Sequence, residues 1–489
     1  MISLLFLVGS CKKASVITTS SILDSAKDPS SAAGSLALSM AVVEDLELAL
    51  TRDGGLNATE AAVVRAGALA GLESSGSLSL TNSSFYRLHN SVPAILQGAM
   101  GTMSNPQTGL TDASRKIQLT GVMNKAIFQS MKDKMTAVSE AHRESLPGNV
   151  VNAAISTLDE AGLTGSNIAS AIGVVTKTTV SALSDVGYTA TEFEPVITNI
   201  SQQTITGMKN ALTDISVIQS AVTEFVANAV GSLDETGIQP ANMSGVVGNI
   251  LTETVGGLDD LGMSGVSQMQ NVVGAVVAGA VSAFDDAGVT QVSDIGTILT
   301  KTVQGTMDGI RNAAITTDKL SFIMDDVMNG AVTSFNQIGI QDAASIQNLS
   351  AVLVADAIDH MDNVGIQDLS LIKSTSEALA TGTMTALGDL KDAGVIDRAA
   401  VEAASQVVST KAVDAIYVQA TSHGYQSDIT NMASSFTDGM VAGLAEAGWN
   451  TTDISAINDD IGAGFRAALI DEATINPTLL ETMVTSIDV

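Results

Sequence analysis

The feature that most constrains this chain is a repeat of about 25 residues. Ile168, Ile172, Val175, Val180 and Leu183 form one set of large apolar residues. A step of 25 gives Phe193, Ile197, Ile200, Ile205 and Met208, and a second gives Ile218, Val222, Phe225, Val230 and Leu233. A third gives Met243, Val247, Ile250, Val255 and Leu258, and a step of 26 gives Met269, Val273, Val276, Val281 and Phe284. The register continues with small slips through Leu320, Met324, Val327, Val332 and Phe335 to Ile454, Ile461 and Leu469. Upstream, Leu88, Val92, Ile95, Met100 and Met103 fit, and Ala61, Val64, Leu69 and Leu72 fit loosely, whereas residues 110–150 stand out of register. Self-similarity at a fixed short period marks repeat arrays, in which one small unit buries its apolar face only against its neighbours.

Within a unit the apolar residues are spaced 4, 3, 5 and 3 apart. At 100° per residue they fall in a stripe of roughly 140°. This predicts one amphipathic helix per unit, about 27 Å long. Period-two alternation is absent, and the chain has only seven prolines, so strands are not expected. A chain of 489 residues is too long for one compact core. The fold class is therefore all-α: an elongated tandem helical repeat array, α-solenoid-like. HEAT-like arrays are built from helix pairs; here every helix carries the same pattern, so that likeness is one of architecture.

Helix ends are legible as well. Gly followed by an apolar residue recurs at Gly162-Leu163, Gly187-Tyr188, Gly237-Ile238, Gly262-Met263, Gly288-Val289, Gly339-Ile340, Gly365-Ile366, Gly394-Val395, Gly424-Tyr425 and Gly448-Trp449. This is the signature of a left-handed C′ residue whose successor packs back on the last turn. N-cap residue types follow a few positions on: Ser293 or Asp294, Asp318, Asp342, Asp368, Asp397, Asp428 and Asp453. Loops of about six residues make consecutive helices antiparallel neighbours. The position before the last apolar residue is small, as in Ala182, Gly207, Ser232, Gly257, Ala283, Gly309, Ser334, Ala386, Ala415, Gly443 and Ala468, with His360 the exception. Gly inside a helix costs about 1 kcal/mol against Ala, and so repeated a cost points to close helix approach.

Two residues past the last apolar position lies an acidic and amide column: Asp185, Asn210, Glu235, Asp260, Asp286, Asn312, Gln337, Asn363, Asp389, Glu446 and Asp471. One reading is a file of carboxylates for Ca²⁺ or a basic partner. The other is a loop or N-cap acceptor for the adjoining helix. Free exchange of carboxylate for neutral amide favours the structural role, because those side chains share only a carbonyl-type oxygen. His89, His142, His360 and His423 are too far apart in sequence for a metal pair on one helix. Asp359 and Asp362 flank His360 and suggest a local ion pair rather than a catalytic base. Tyr188, Tyr425 and Trp449 follow the C′ glycines, where Leu, Ile and Val stand elsewhere, so packing is favoured over a ligand-binding row.

Acidic residues outnumber basic ones 52 to 22, for a net charge of −30. That balance excludes a nucleic-acid footprint. A single cysteine excludes a disulfide framework and a thiolate zinc cluster. No Gly-x-Ser-x-Gly elbow, His-Glu-x-x-His or P-loop occurs, and no cofactor is expected. No segment reaches the ~18 uninterrupted apolar residues of a membrane span; the most apolar, Val272 to Phe284, is broken by Gly and Ser.

The only cysteine, Cys11, ends the opening Met1-Ile-Ser-Leu-Leu-Phe-Leu-Val8-Gly9-Ser10 run and is followed by Lys12 and Lys13. These first residues resemble the signal peptide and lipobox of a bacterial lipoprotein, with cleavage before Cys11. The resemblance implies acylation of Cys11 and, since Lys12 rather than Asp follows, an outer-membrane address. The other reading is an apolar N-terminus with a buried thiol. The expected organisation is a signal peptide over 1–10, a lipidated tether over 11–32, irregular helical repeats over 33–150, regular repeats over 151–475 and a cap or partial repeat over 476–489. The expected function is a non-catalytic, lipid-anchored cell-envelope scaffold or binding surface facing periplasm or exterior. Its partners are the membrane, through Cys11, and another envelope protein. The rivals are a membrane-active or apolar-ligand-binding helical protein and an enzyme without a recognisable motif.

Overall fold

A computed structural model describes residues 32–75, 88–132, 134–135, 140–313 and 315–471. Cys11, the tether up to residue 31 and the terminal segment 476–489 lie outside the described residues, as do the side chains of Asp318 and Asp471.

Among the described residues the regular elements are helices, with no strand. They run α1 (Ala32–Arg52), α2 (Ala58–Ser74), α3 (Leu88–Gly101), α4 (Ala113–Met131), the short α5 (Glu140–Arg143), α6 (Leu146–Ile155), α7 (Ser166–Ala182), α8 (Ala190–Ala211) and α9 (Ile215–Gly231). Then come α10 (Met243–Gly256), α11 (Val266–Ser282), α12 (Val292–Asn312), α13 (Thr317–Thr333), α14 (Ala343–His360), α15 (Leu369–Asp392), α16 (Arg398–His423), α17 (Ile429–Glu446) and α18 (Thr451–Asp471). The protein is an all-α, elongated helical repeat array.

The helices form two layers. α1, α4, α7, α9, α11, α13, α15 and α17 pack side by side in one; α2, α3, α6, α8, α10, α12, α14, α16 and α18 form the other. From α6 onward each helix makes its closest lateral contacts with the helix two places on in the chain, not with its successor. Successive helices run antiparallel and face each other across the core, while helices within a layer run parallel there. Consecutive helices are thus not the closest neighbours that the short loops suggested. The structural repeat is a helix pair of about 50 residues, although each helix carries the same apolar pattern. The N-terminal region departs from this rule: α2 and α3 form an antiparallel pair within one layer, held by mutual approach of Gly67, Gly71 and Gly98.

The apolar stripe fills the space between the layers. Every one of the five-position residues from Ile168 to Phe284 is buried. All ten expected C′ glycines are left-handed, with φ between 70° and 92°. At Gly288 the chain folds back so that the Val289 amide donates to Phe284 O at 2.9 Å and the Val289 side chain is buried. Asp342, Asp368 and Asp397 cap their helices as expected, accepting from Ser345 N (2.8 Å), Ser370 N (2.9 Å) and Ala400 N (2.8 Å). Other caps differ. Gln291, not Ser293 or Asp294, precedes α12, and Asp428 makes no capping bond. Asn450 replaces Asp453, accepting from Thr452 N and Asp453 N, both at 3.0 Å. Asn450 is the first side-chain acceptor after Trp449, so it starts the helix and leaves the Asp453 carboxylate to pair with Arg398.

Within a layer, small residues set the spacing. A Cβ on Gly309 would stand 2.7 Å from Val255 Cβ, one on Gly257 2.8 Å from Ile205 Cγ2, and one on Gly207 2.9 Å from Ile155 Cβ. A second small position four residues earlier is tighter still. A Cβ on Gly305, Gly330, Gly382 or Gly439 would overlap the carbonyl oxygen of Gly248, Gly274, Asp325 or Glu377 in turn. Threonines exploit the exposed backbone. Thr252, Thr381, Thr385 and Thr410 reach Gly305 O (3.1 Å), Gly439 O, Gly443 O and Gly464 O (each 3.2 Å) on the next helix of the layer.

Candidate functional site

The acidic column lies at the C-terminal ends of the helices and reaches sideways. Asp260 pairs with Lys209 on the preceding helix of its layer at 2.6 Å. Glu446 accepts from Thr385 at 3.4 Å, Asn210 donates to Ser156 at 3.5 Å, and Gln337 accepts from Ser282. Asp185 stands 4.0 Å from Lys132, Asp286 packs beside Gly231, and Glu235 is exposed. Burial, with Asp392 adding repulsion, raises the Asp389 carboxyl above its usual range. None of these described side chains caps a helix; Asp185, Asn210, Asp260, Gln337 and Glu446 reach the neighbouring helix of the same layer. The capping expected of the column is not what these side chains do; those that bond do so laterally.

A wider ladder joins the same helices. Asn152 donates to Gln203 Oε1 at 2.8 Å, Gln202 to Glu253 Oε2 at 2.9 Å and Asn249 to Glu194 Oε1 at 2.9 Å. In the other layer, Asn124 donates to Val175 O at 3.1 Å and Gln270 to Phe322 O at 2.6 Å. The partners are 51 to 55 residues apart, two repeats rather than one. Comparing each unit with the next but one is the signal that would have exposed the ladder.

His360 takes a different partner from those expected. Its Nε2 faces Asp308 on α12 at 3.4 Å, and its Nδ1 lies 3.0 Å from Asn363 Nδ2. Asp359 and Asp362 are one and two residues away, spacings at which helical side chains do not face each other. Asp362 instead faces His423 at 3.5 Å. His89 and His142, distant in sequence, stack with ring centroids 3.9 Å apart. Tyr188 and Trp449 are buried, as packing residues should be. The Tyr188 hydroxyl donates to Arg143 O at 2.5 Å, and burial pushes its phenol up.

One carboxyl stands out electrostatically. Asp325 of α13 is tucked against α15 where Gly382 removes a side chain. Burial, then repulsion from Glu446 and Asp326, pushes it up to about 7. Among the described residues, no group of three or more His, Cys, Asp or Glu side chains is arranged to hold a metal ion. No described helix is long and apolar enough to cross a membrane.

On the outer face of the second layer, α3 and α6 leave a groove of about 470 Å³ between them. Its walls are mostly side-chain amides, with the Ser156 hydroxyl, the His89 ring, Pro93 and Ala153. The adjacent groove, along α8 and α10, carries Glu144 and Glu194. Compared with family models and with curated proteins, the chain matches none.

Proposed function

We propose that this protein is a non-catalytic, lipid-anchored scaffold of a bacterial cell envelope, presenting one face of a two-layered helical array as a binding surface. The observation that carries the reading is the position of the only cysteine. Cys11 closes the run Val8-Gly9-Ser10, after an apolar stretch and before a Ser/Thr-rich segment that leads to the array. The use made of the polar side chains supports the non-catalytic part. Asp260, Glu446 and the amides bond helix to helix along the array instead of converging on one point, as a catalytic constellation must. Parallel layers with repeated lateral bonds suit a stiff spacer or platform. Lys12 after the cysteine favours the outer membrane.

Fractionation tests the anchor. The wild-type protein is expected in the membrane fraction, its N-terminal peptide carrying acyl chains on Cys11. Cys11→Ser should move the protein to the soluble fraction with the array still helical by circular dichroism. A wild-type protein that is soluble, with an unmodified N-terminus beginning at Met1, would refute the reading.

A further inference from the structure

The groove between α3 and α6 differs from the rest of this acidic surface. Asn90, Pro93 and Gln97 line it from α3, Asn149 and Asn152 from α6, and Asn210 from the end of α8. In a chain of net charge −30, no carboxylate, ammonium or guanidinium enters this lining. We propose that this groove binds an uncharged, hydroxyl-rich chain: a segment of a neutral oligosaccharide.

Three observations support that ligand class. The first is the chemistry of the walls. Each side-chain amide both donates and accepts, and so does each sugar hydroxyl, so the two match without any net charge. A charged ligand would find no carboxylate, ammonium or guanidinium as counter-charge, and an apolar one would take amide groups out of water without bonding them. The volume lies within the range of about 300–1,000 Å³ typical of small-molecule sites.

The second is a proline in the groove wall. Along the regular array, small residues bring helices into backbone contact. Here α3 carries Pro93 within the helix, and the ring faces the gap. Proline within a helix displaces the preceding turn, and its ring adds an uncharged surface to the wall. The other helix-interior proline among the described residues, Pro195 of α8, lines the adjacent groove on the same face.

The third is prearrangement. Asn152 is fixed by its bond to Gln203 at 2.8 Å and accepts from Ser156 at 2.9 Å, and Ser156 in turn meets Asn210 at 3.5 Å. The His89 ring, at the rim, is held against His142 with 24° between the planes. A sugar would meet side chains already ordered, which removes part of the entropy cost of binding.

This inference names a ligand for the binding surface proposed above and rests on that reading; it is independent of the anchor. The test therefore uses the full chain carrying Cys11→Ser, with maltotriose, chitotriose and mannotriose as neutral probes and trigalacturonate as the acidic control. Saturation-transfer NMR is expected to show contact with at least one neutral trisaccharide and none with trigalacturonate. Asn149→Leu and Gln97→Glu should each weaken binding at least tenfold with helical content unchanged, whereas Asn228→Leu, on the opposite layer, should not. Silence with all three neutral probes, equal response to trigalacturonate, or unaltered binding in both groove variants would overturn the proposal. Sugar binding by a protein that fails the anchoring test would leave the groove standing and the anchor refuted.

Discussion

Replacing Asp325 by Asn should stabilise the array at neutral and higher pH, and the gain should vanish in acid. Asp325 is a half-buried carboxyl beneath the α15 backbone. Its Oδ1 lies 2.8 Å from where a Cβ on Gly382 would stand, and Asp326 and Glu446 add negative charge around it. Its pKa rises from an ordinary 3.8 to about 7 on folding. A carboxyl that binds its proton more tightly in the folded state makes stability fall as pH rises from about 4 to about 7. Above that window the penalty is constant. Each tenfold gain in proton affinity corresponds to about 1.4 kcal/mol, but part of the group faces solvent and is screened, so about 1–2 kcal/mol is a sounder expectation. Asn keeps the shape and cannot ionise. In urea titrations, Asp325→Asn minus wild type should be near zero at pH 4 and about 1–2 kcal/mol in favour of the variant at pH 8. Working with the difference cancels the pH response of the other acids. A difference that does not change between pH 4 and pH 8 would show that the carboxyl is not strained by its site.

The lateral seams make a second prediction. Gly439→Ala places a methyl on Glu377 O and should destabilise by about 2–3 kcal/mol in chemical denaturation, although Ala is the better helix former by about 1 kcal/mol. A neutral or stabilising effect would show that the seam yields. Deletions test the two-layer order. Removing residues 237–287 takes out α10 and α11, one helix from each layer, and Gly288 takes the place of Gly237. That variant should remain highly helical with a shorter long dimension by small-angle scattering. Removing 237–261 alone forces α11 into the wrong layer, where Gly279 no longer meets Thr223 of α9, and should lower the melting temperature well below that of the longer deletion. Equal tolerance of both would refute the pairing of every second helix.

Much of the fold is written locally, and that part was legible. The stripe from Ile168 to Leu183 is a property of one helix, and Gly288 followed by Val289 is a property of one turn; each can be read without knowing what lies beside it. The layer order is not local. Leu158, Leu183 and Leu233 all occupy the last apolar position of their units and are all buried, so hydrophobic pattern alone treats their helices as equivalent. What separates the layers is the pairing of a small residue with a carbonyl two helices away, as in Gly305 with Gly248 and Gly439 with Glu377. The small residues of one column were visible; their partners, four residues offset and two units distant, were not.

The same limit governs the candidate site. Asp260 is an acid in a column, and its sequence offers a ligand for calcium or a basic partner and, by preference, a loop or cap acceptor. In the fold it faces Lys209, two repeats back and in the same layer, a partner that the sequence did not point to. His360 shows the converse error, since its adjacent acids in sequence are turned away and Asp308 faces it from α12. In a repeat array, side-chain chemistry is therefore better read between units that share a layer than between neighbours in the chain. Where that correspondence breaks, the array is free to differ from itself. It breaks most clearly at α2 and α3, which lie in one layer instead of two, and the groove without formal charges opens on the far side of α3 from that irregular pair. A regular array repeats its surface as it repeats its core; an irregular joint is where a unique recognition surface can form without disturbing the seams on either side.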